Sequence, residues 1–177
     1  MTRLTKTVDL SDHALGPQDA RVTLVEYGSY DCPHCRQALA ITLALLTLAQ
    51  ENGPSLRLIY RHFPREAGAS PSQRAAEAAE AAGEQGRFWE MHEHLLKNQH
   101  ALDDANLLAY TVLLGLDVAR FAAAMEEGVY HDQVLAMAQS GVASGVLSTP
   151  TFFINGVRHD DHWDLDTLRA AIVAAAA

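Results

Sequence analysis

The first strongly patterned segment, Val22 to Tyr27, reads Val-Thr-Leu-Val-Glu-Tyr and stops at Gly28. β-Branched and aromatic residues at this density predict a buried strand. Ahead of it, Gly16-Pro17-Gln18-Asp19 is turn chemistry. Arg36 to Gln50 then sets Leu, Ala and Ile at helical spacing, and halts at Asn52-Gly53-Pro54, a glycine stop followed by proline. Leu56 to Phe63 alternates as a second strand, ended by Pro64. From about Pro71 to Gly145 the pattern changes to Ala, Glu, Gln, Leu and Met with no strand signal. Breaks at Gly83 to Gly86, Asn98 to Asp104, Gly115 to Asp117 and Gly128 divide this stretch into four or five helices, with Asp104 and Asp117 as expected N-caps. Strand character returns at Thr151 to Ile154. Asn155-Gly156 predicts a two-residue hairpin turn, and Val157 to His159 the partner strand. A last helix is expected from about Leu165, capped by Asp164, into the alanine tail.

The order is thus strand, helix, strand, helical block, strand, strand, helix. A strand–helix–strand unit gives a parallel pair and the hairpin an antiparallel one. The expectation is an α/β fold: a mixed four-stranded sheet carrying helices, with an all-helical subdomain inserted. Residues 1–177 form one domain, with a core of 1–68 and 146–177 and an insertion of 69–145. Alanine at this density reflects helix propensity and close packing, and no repeat period is visible.

At 177 residues the chain can bury a sizeable core without metal or staples. Its net charge of −9 argues against nucleic acid as a partner. No window holds 18 consecutive apolar residues, so no membrane insertion is expected. Met1 to Gln18 carries Arg3 and Lys6 without an apolar run behind them, which is not a secretory signal. A cytoplasmic location is expected for the chain as written, and a periplasmic or other extracytoplasmic one if a leader has been removed. A monomer is expected.

Only two cysteines occur, in Cys32-Pro33-His34-Cys35, at the handover from strand to helix. Pro33 suits the first helical position, where its missing N–H would have no partner. Cys32 then lies at the helix start, where free N–H groups and the positive dipole end favour a thiolate over a thiol. Cys35, one turn on, can close a short disulfide ring and is expected to be buried. The His34 imidazole between them can donate to, or as a cation attract, the Cys32 thiolate. Stabilising the reduced form makes the disulfide a stronger oxidant.

Two other readings of the pair are open. A Cys-x-x-Cys can be half a zinc site, with His94 and His100 as the remaining ligands. Their distance from the cysteines far exceeds the usual gap of about 12–15 residues. An inert structural disulfide across so short a loop would stabilise little. His159-Asp160-Asp161-His162 could also bind a metal, but reads more simply as a solvated loop; no metal and no cofactor beyond a redox-active disulfide are expected. Trp89, Met91 and Leu95 share a helical face and read as core.

These residues resemble the DsbA-like thiol–disulfide oxidoreductases of thioredoxin-like fold. The matching blocks run in order along nearly the whole chain. They are Asp12 to Pro17, Val22 to Gly28, Cys32 to Cys35, Arg61-His62-Phe63-Pro64, Phe88 to His92 and Thr149 to Gly156. A strongly depressed first thiol is a property of that family, so the resemblance and the helix-start argument are not independent there. The resemblance implies that Pro150 forms a cis bond facing the cysteines, and that Thr149 presents backbone groups to an extended substrate. It also implies that Glu26 is buried beneath the disulfide and relays a proton to or from Cys35, with Arg61 as a possible partner. Ser148 departs from the commoner glycine. The implied activity is disulfide exchange with protein thiols and with an electron partner that the sequence does not identify. The alternatives are a non-catalytic binding or chaperone module, or a cytoplasmic redox sensor.

Overall fold

The computed structural model describes residues 2–66 and 70–177. The expected boundary of the insertion, between 68 and 69, lies outside the described residues. Strand β1 (His13–Leu15) is followed by β2 (Val22–Gly28), helix α1 (Pro33–Asn52) and β3 (Leu56–His62). Five helices come next: α2 (Pro71–Gly83), α3 (Phe88–Lys97), α4 (Asp104–Leu113), α5 (Val118–Glu126) and α6 (His131–Ala143). The hairpin β4 (Thr151–Ile154) and β5 (Val157–Arg158) and helix α7 (Leu165–Ala175) close the chain.

The sheet has five strands in the order β1-β3-β2-β4-β5, not the four expected. β2 and β3 are parallel and every other pair is antiparallel. The extra strand, β1, has three residues, too few to show an alternating pattern by themselves. Asn155 and Gly156 both have positive φ, which is what a tight hairpin turn requires. Asp117 and Asp164 cap their helices as expected, accepting from the N–H groups of Arg120 and Thr167. The cap of α4 is Asp103, accepting from Asn106 N–H, and Asp104 is the first helical residue. This corrects the expectation by one position.

β2 lies at the centre of the sheet and is buried on both faces. Val22 and Leu24 point, with Leu56 and Leu58, toward Ala38, Leu45 and Leu46 of α1 and Leu168 and Ile172 of α7. Val25 and Tyr27 point the other way, with Ile59 and Phe153. Helix α1 buries Cys35, Ala38, Leu39, Thr42, Leu45 and Leu46, a stripe at helical spacing. The helical block packs against the end of this layer that carries Cys32 and Cys35. Met91 and Leu95 are fully buried in one cluster with Cys35, Leu39 and Tyr60. Trp89 is half-buried, and its Nε1 donates to the Ala14 carbonyl.

Candidate active site

Strand period decides what lies beneath the cysteines. Glu26 stands in register with Tyr60 on β3 and Phe152 on β4, on the α1 face of the sheet. Arg61 therefore faces the opposite side and is not the partner of Glu26. It is fully buried there, forked onto both carboxylate oxygens of Asp12 at 2.8 and 2.9 Å. It also donates to the Tyr27 hydroxyl and to the carbonyls of Lys6 and Thr7. Glu26 itself is buried, and its Oε1 has no hydrogen-bond partner among the described residues. Burial, and secondarily the charge of Cys32, raises its carboxyl to about 8.

Cys32 is the N-cap residue of α1, with extended backbone, and Pro33 occupies the first turn. Both thiols are free. Cys32 keeps 7% of its surface and Cys35 none, so only the first sulfur is reachable. The Cys32 thiol donates to the Thr149 carbonyl at 3.2 Å. As a thiolate, Cys32 is held down to about 5. A hydrogen bond from the Cys35 thiol contributes most. Burial works against it, while the Thr149 side chain and the backbone N–H groups of Cys35 and His34 add to the lowering. Cys35 moves the opposite way. Its bond to Cys32, its burial and the charge of Glu26 push its pKa up, against a single N–H from Ser29 at 3.4 Å.

His34 thus reaches the sulfur through its main chain. Its exposed ring lies 6.2 Å from the ring of Trp163, and among the described residues it makes no hydrogen bond to Cys32. Thr149–Pro150 is a cis peptide bond. A groove of about 370 Å³ runs past Cys32, bordered by His34, Phe63, Arg65, Leu147 and Thr149. Leu147 is 91% exposed, which gives the rim of this groove an apolar contact. From the helical block, Gln99 Nε2 donates to the carbonyls of Tyr30 and Cys32, fixing the approach to the helix.

The other candidate residues lie elsewhere. The His94 ring packs 4.3 Å from that of Tyr110. In the 159–162 loop, His159 Nε2 bonds the His162 carbonyl, and Asp160 pairs with Arg158. Sequence reasoning missed a buried wall behind Cys35 made of Tyr30, Tyr60, His62, Glu80 and His92. One available signal was a pair of glutamates, Glu77 and Glu80, three apart in an alanine-rich helix; both are buried.

Residues 9–174 match the family model described as thioredoxin. The chain belongs to the thioredoxin family. A thioredoxin-like oxidoreductase from Silicibacter pomeroyi superposes with a TM-score of 0.78 at 27% identity, covering 94% of this chain and 93% of that one. BdbD from Bacillus subtilis gives 0.77 at 20% identity, covering 93% and 92%. α-DsbA1 from Wolbachia pipientis gives 0.76 at 19%, covering 96% and 92%. The fold is that of the DsbA-like thiol–disulfide oxidoreductases. Among curated proteins, a Na(+)/H(+) antiporter, NhaA 1, from Salinispora arenicola is 42% identical over 164 residues, covering 93% of this chain and 24% of the antiporter. NhaA from Herminiimonas arsenicoxydans is 38% identical over 164 residues, covering 93% and 25%. The chain spans about a quarter of the length of these relatives. Among the described residues, no helix is long and apolar enough to cross a membrane.

Proposed function

We propose that the chain exchanges disulfides with protein thiols through Cys32, by way of a mixed disulfide, in the direction that oxidises the client. The observation that carries this reading is the asymmetry of the two sulfurs. One is reachable and held near 5, while its partner is fully covered and pushed up. A client thiolate attacks Cys32 Sγ of the Cys32–Cys35 disulfide, a client–Cys32 bond forms, and Cys35 leaves. Its raised pKa makes it take up a proton, and the neutral Glu26 carboxyl is the donor beneath it. A second client thiolate then attacks the client sulfur of the mixed disulfide, and Cys32 departs as a stabilised thiolate. Because that leaving group is stabilised, the reduced enzyme is favoured and the disulfide is oxidising. Thr149 and Pro150 line the approach, where the Thr149 backbone can pair with an extended client segment. The two electrons taken from the client then leave to the electron partner, which re-forms the Cys32–Cys35 disulfide, and the exchange itself uses no bound cofactor.

The antiporter relatives favour a second setting for the same chemistry. A module of this fold can be joined to an ion antiporter, and its client would then be a thiol pair of the membrane partner.

Trapping tests the reading. Cys35→Ala should accumulate a covalent adduct with a cysteine-containing peptide disulfide, reversible by dithiothreitol, and Cys32→Ala should accumulate none. Equal trapping by the two variants, or by neither, would overturn the assignment of Cys32 as nucleophile.

A further inference from the structure

Behind the sulfurs, the α1 face of the sheet carries polar side chains that exchange at Cys32 leaves unused. Glu26 is the register partner of Tyr60, and Gly28 that of His62. Glu26 Oε1, the Tyr60 hydroxyl and His62 Nδ1 are each buried and without a hydrogen-bond partner among the described residues. Such atoms are costly to bury, so three on neighbouring positions call for an account. Gly28 explains how Tyr60 fits. A Cβ there would come within 2.7 Å of the Tyr60 hydroxyl, which therefore rests on the strand backbone at the level of His62. One residue further on, the Ser29 N–H points at Cys35 Sγ.

From the other side of the His62 ring a series of contacts leads outward. His62 Nε2 meets Glu80 Oε1 at 3.0 Å, and Glu80 Oε2 meets His13 Nε2 at 2.8 Å. Side-chain exposure rises from 1% at His62 and 3% at Glu80 to 21% at His13, so the series ends at solvent. Each member is held in place. Gln133 Nε2 donates to Glu80 Oε2 at 2.7 Å, and the His13 ring stacks on Phe88 at 3.5 Å. Gly83 leaves space for that ring, since a Cβ there would lie 3.0 Å from His13 Cε1. Burial works to raise the Glu80 carboxyl, but its bonds to His13 and His62 outweigh this and hold it near 2. It is thus a buried carboxylate flanked by two imidazoles.

We propose that His62, Glu80 and His13 form a proton conduit between solvent and the buried pocket of Glu26 and Cys35. This rests on the exchange reading above. When the client attacks, the Cys32–Cys35 bond breaks, and Cys35 leaves as a thiolate and takes the Glu26 proton. Glu26 is then recharged through the back of the sheet while the client still covers the groove. His62, protonated on both nitrogens beside Glu80, releases the Nδ1 proton toward the pocket, where the unpartnered Tyr60 hydroxyl can accept and donate; the ring then turns, and its bare nitrogen takes a proton that His13 draws from water and Glu80 passes on. The electron count is unaffected, since only a proton travels this way. The other groups facing His62 do not compete. Tyr30 is spent on His92 Nδ1 at 3.1 Å. The His92 imidazole, lowered to about 3 by burial and then by the charges of His62 and His13, stays neutral. Arg61 points to the opposite face, onto Asp12.

The experiment follows oxidation of a dithiol peptide by the full chain from about pH 5 to 9, in H2O and D2O, for wild type, Glu80→Gln and His13→Gln. Glutamine at 80 keeps the shape and removes the relay. His13→Gln changes only the outer end, and so serves if the buried variant folds poorly. Both variants should slow exchange at neutral pH, Glu80→Gln by about tenfold or more. They should show a larger solvent isotope effect and be partly rescued by imidazole buffer. Alkylation of Cys32 in the reduced variants should keep its wild-type rate. Wild-type exchange at every pH in both variants would overturn the conduit. So would an equal slowing of exchange and of Cys32 alkylation, which would mean displaced sulfurs. A wild-type chain that fails to exchange at all would overturn the proposed function, and the conduit with it.

Discussion

Glu26 occupies a position where strand alternation calls for a hydrocarbon, and its energetics are set by that mismatch. Its pKa in the fold is about 8, against an ordinary 4.5. A raised carboxyl pKa means that the fold holds the protonated form. The stability it allows is complete below about 4.5 and is lost as pH rises through about 8. Glu26→Gln removes that loss. The variant should therefore gain stability over wild type progressively between these two pH values, reaching on the order of 4 kcal/mol at the upper end, while exchange slows. Urea unfolding of the reduced proteins at about pH 5 and pH 8 measures it. The same difference at both pH values would mean that the carboxyl titrates normally. The sequence made Cys32, Cys35 and Pro150 legible because each belongs to a contiguous motif. It did not show how His34 or Arg61 is used. Whether a ring or a backbone N–H faces a sulfur depends on a rotamer, and which face Arg61 takes depends on register with β2.

At the scale of elements, local chemistry was legible wherever it is local. The alanine-rich stretch resolves into five helices among the described residues, because helix propensity and glycine breaks act over a few residues. β1 was missed because a three-residue strand is specified by its partner, Leu58 to Tyr60 of β3, and not by its own pattern. The cap of α4 marks the boundary between the two cases. Asp103 and Asp104 are adjacent acidic residues of equal capping propensity, yet only Asp103 accepts from the Asn106 N–H. Asp103→Ala should cost about 1 kcal/mol. Asp104→Ala, which loses only an exposed contact with Arg74, should cost less than about 0.5 kcal/mol. Thermal melts of the two variants decide it. A larger loss at 104 would mean that the Arg74 contact, not the cap, holds the start of α4.

The site as a whole is assembled across the molecule, which is why so little of its rear wall was readable. Tyr30, Tyr60, His62, Glu80 and His92 come from a loop, β3, α2 and α3, and no window of sequence contains their meeting. The same long-range assembly also brings the helical block close to the groove at α6. At Gly141 in α6, a Cβ would lie 2.6 Å from Phe63 Cδ2 and 3.0 Å from Tyr27 Cδ1. Phe63 stands edge-on to Tyr27, its N–H bonds the Gly28 carbonyl at 2.7 Å, and its ring borders the groove beside Cys32. Alanine would gain about 1 kcal/mol of helix propensity, but overpacking typically costs about 1–3 kcal/mol, and Tyr27 is pinned by Arg61 and Ser140. Phe63 must therefore yield, toward the groove. Gly141→Ala should lower the melting temperature and slow exchange with peptide dithiols. Exchange with dithiothreitol and alkylation of Cys32 should stay at wild-type rates, because neither needs the rim. Unchanged peptide rates in a variant that melts higher would show that Phe63 has room to spare and that the helical block leaves the groove untouched.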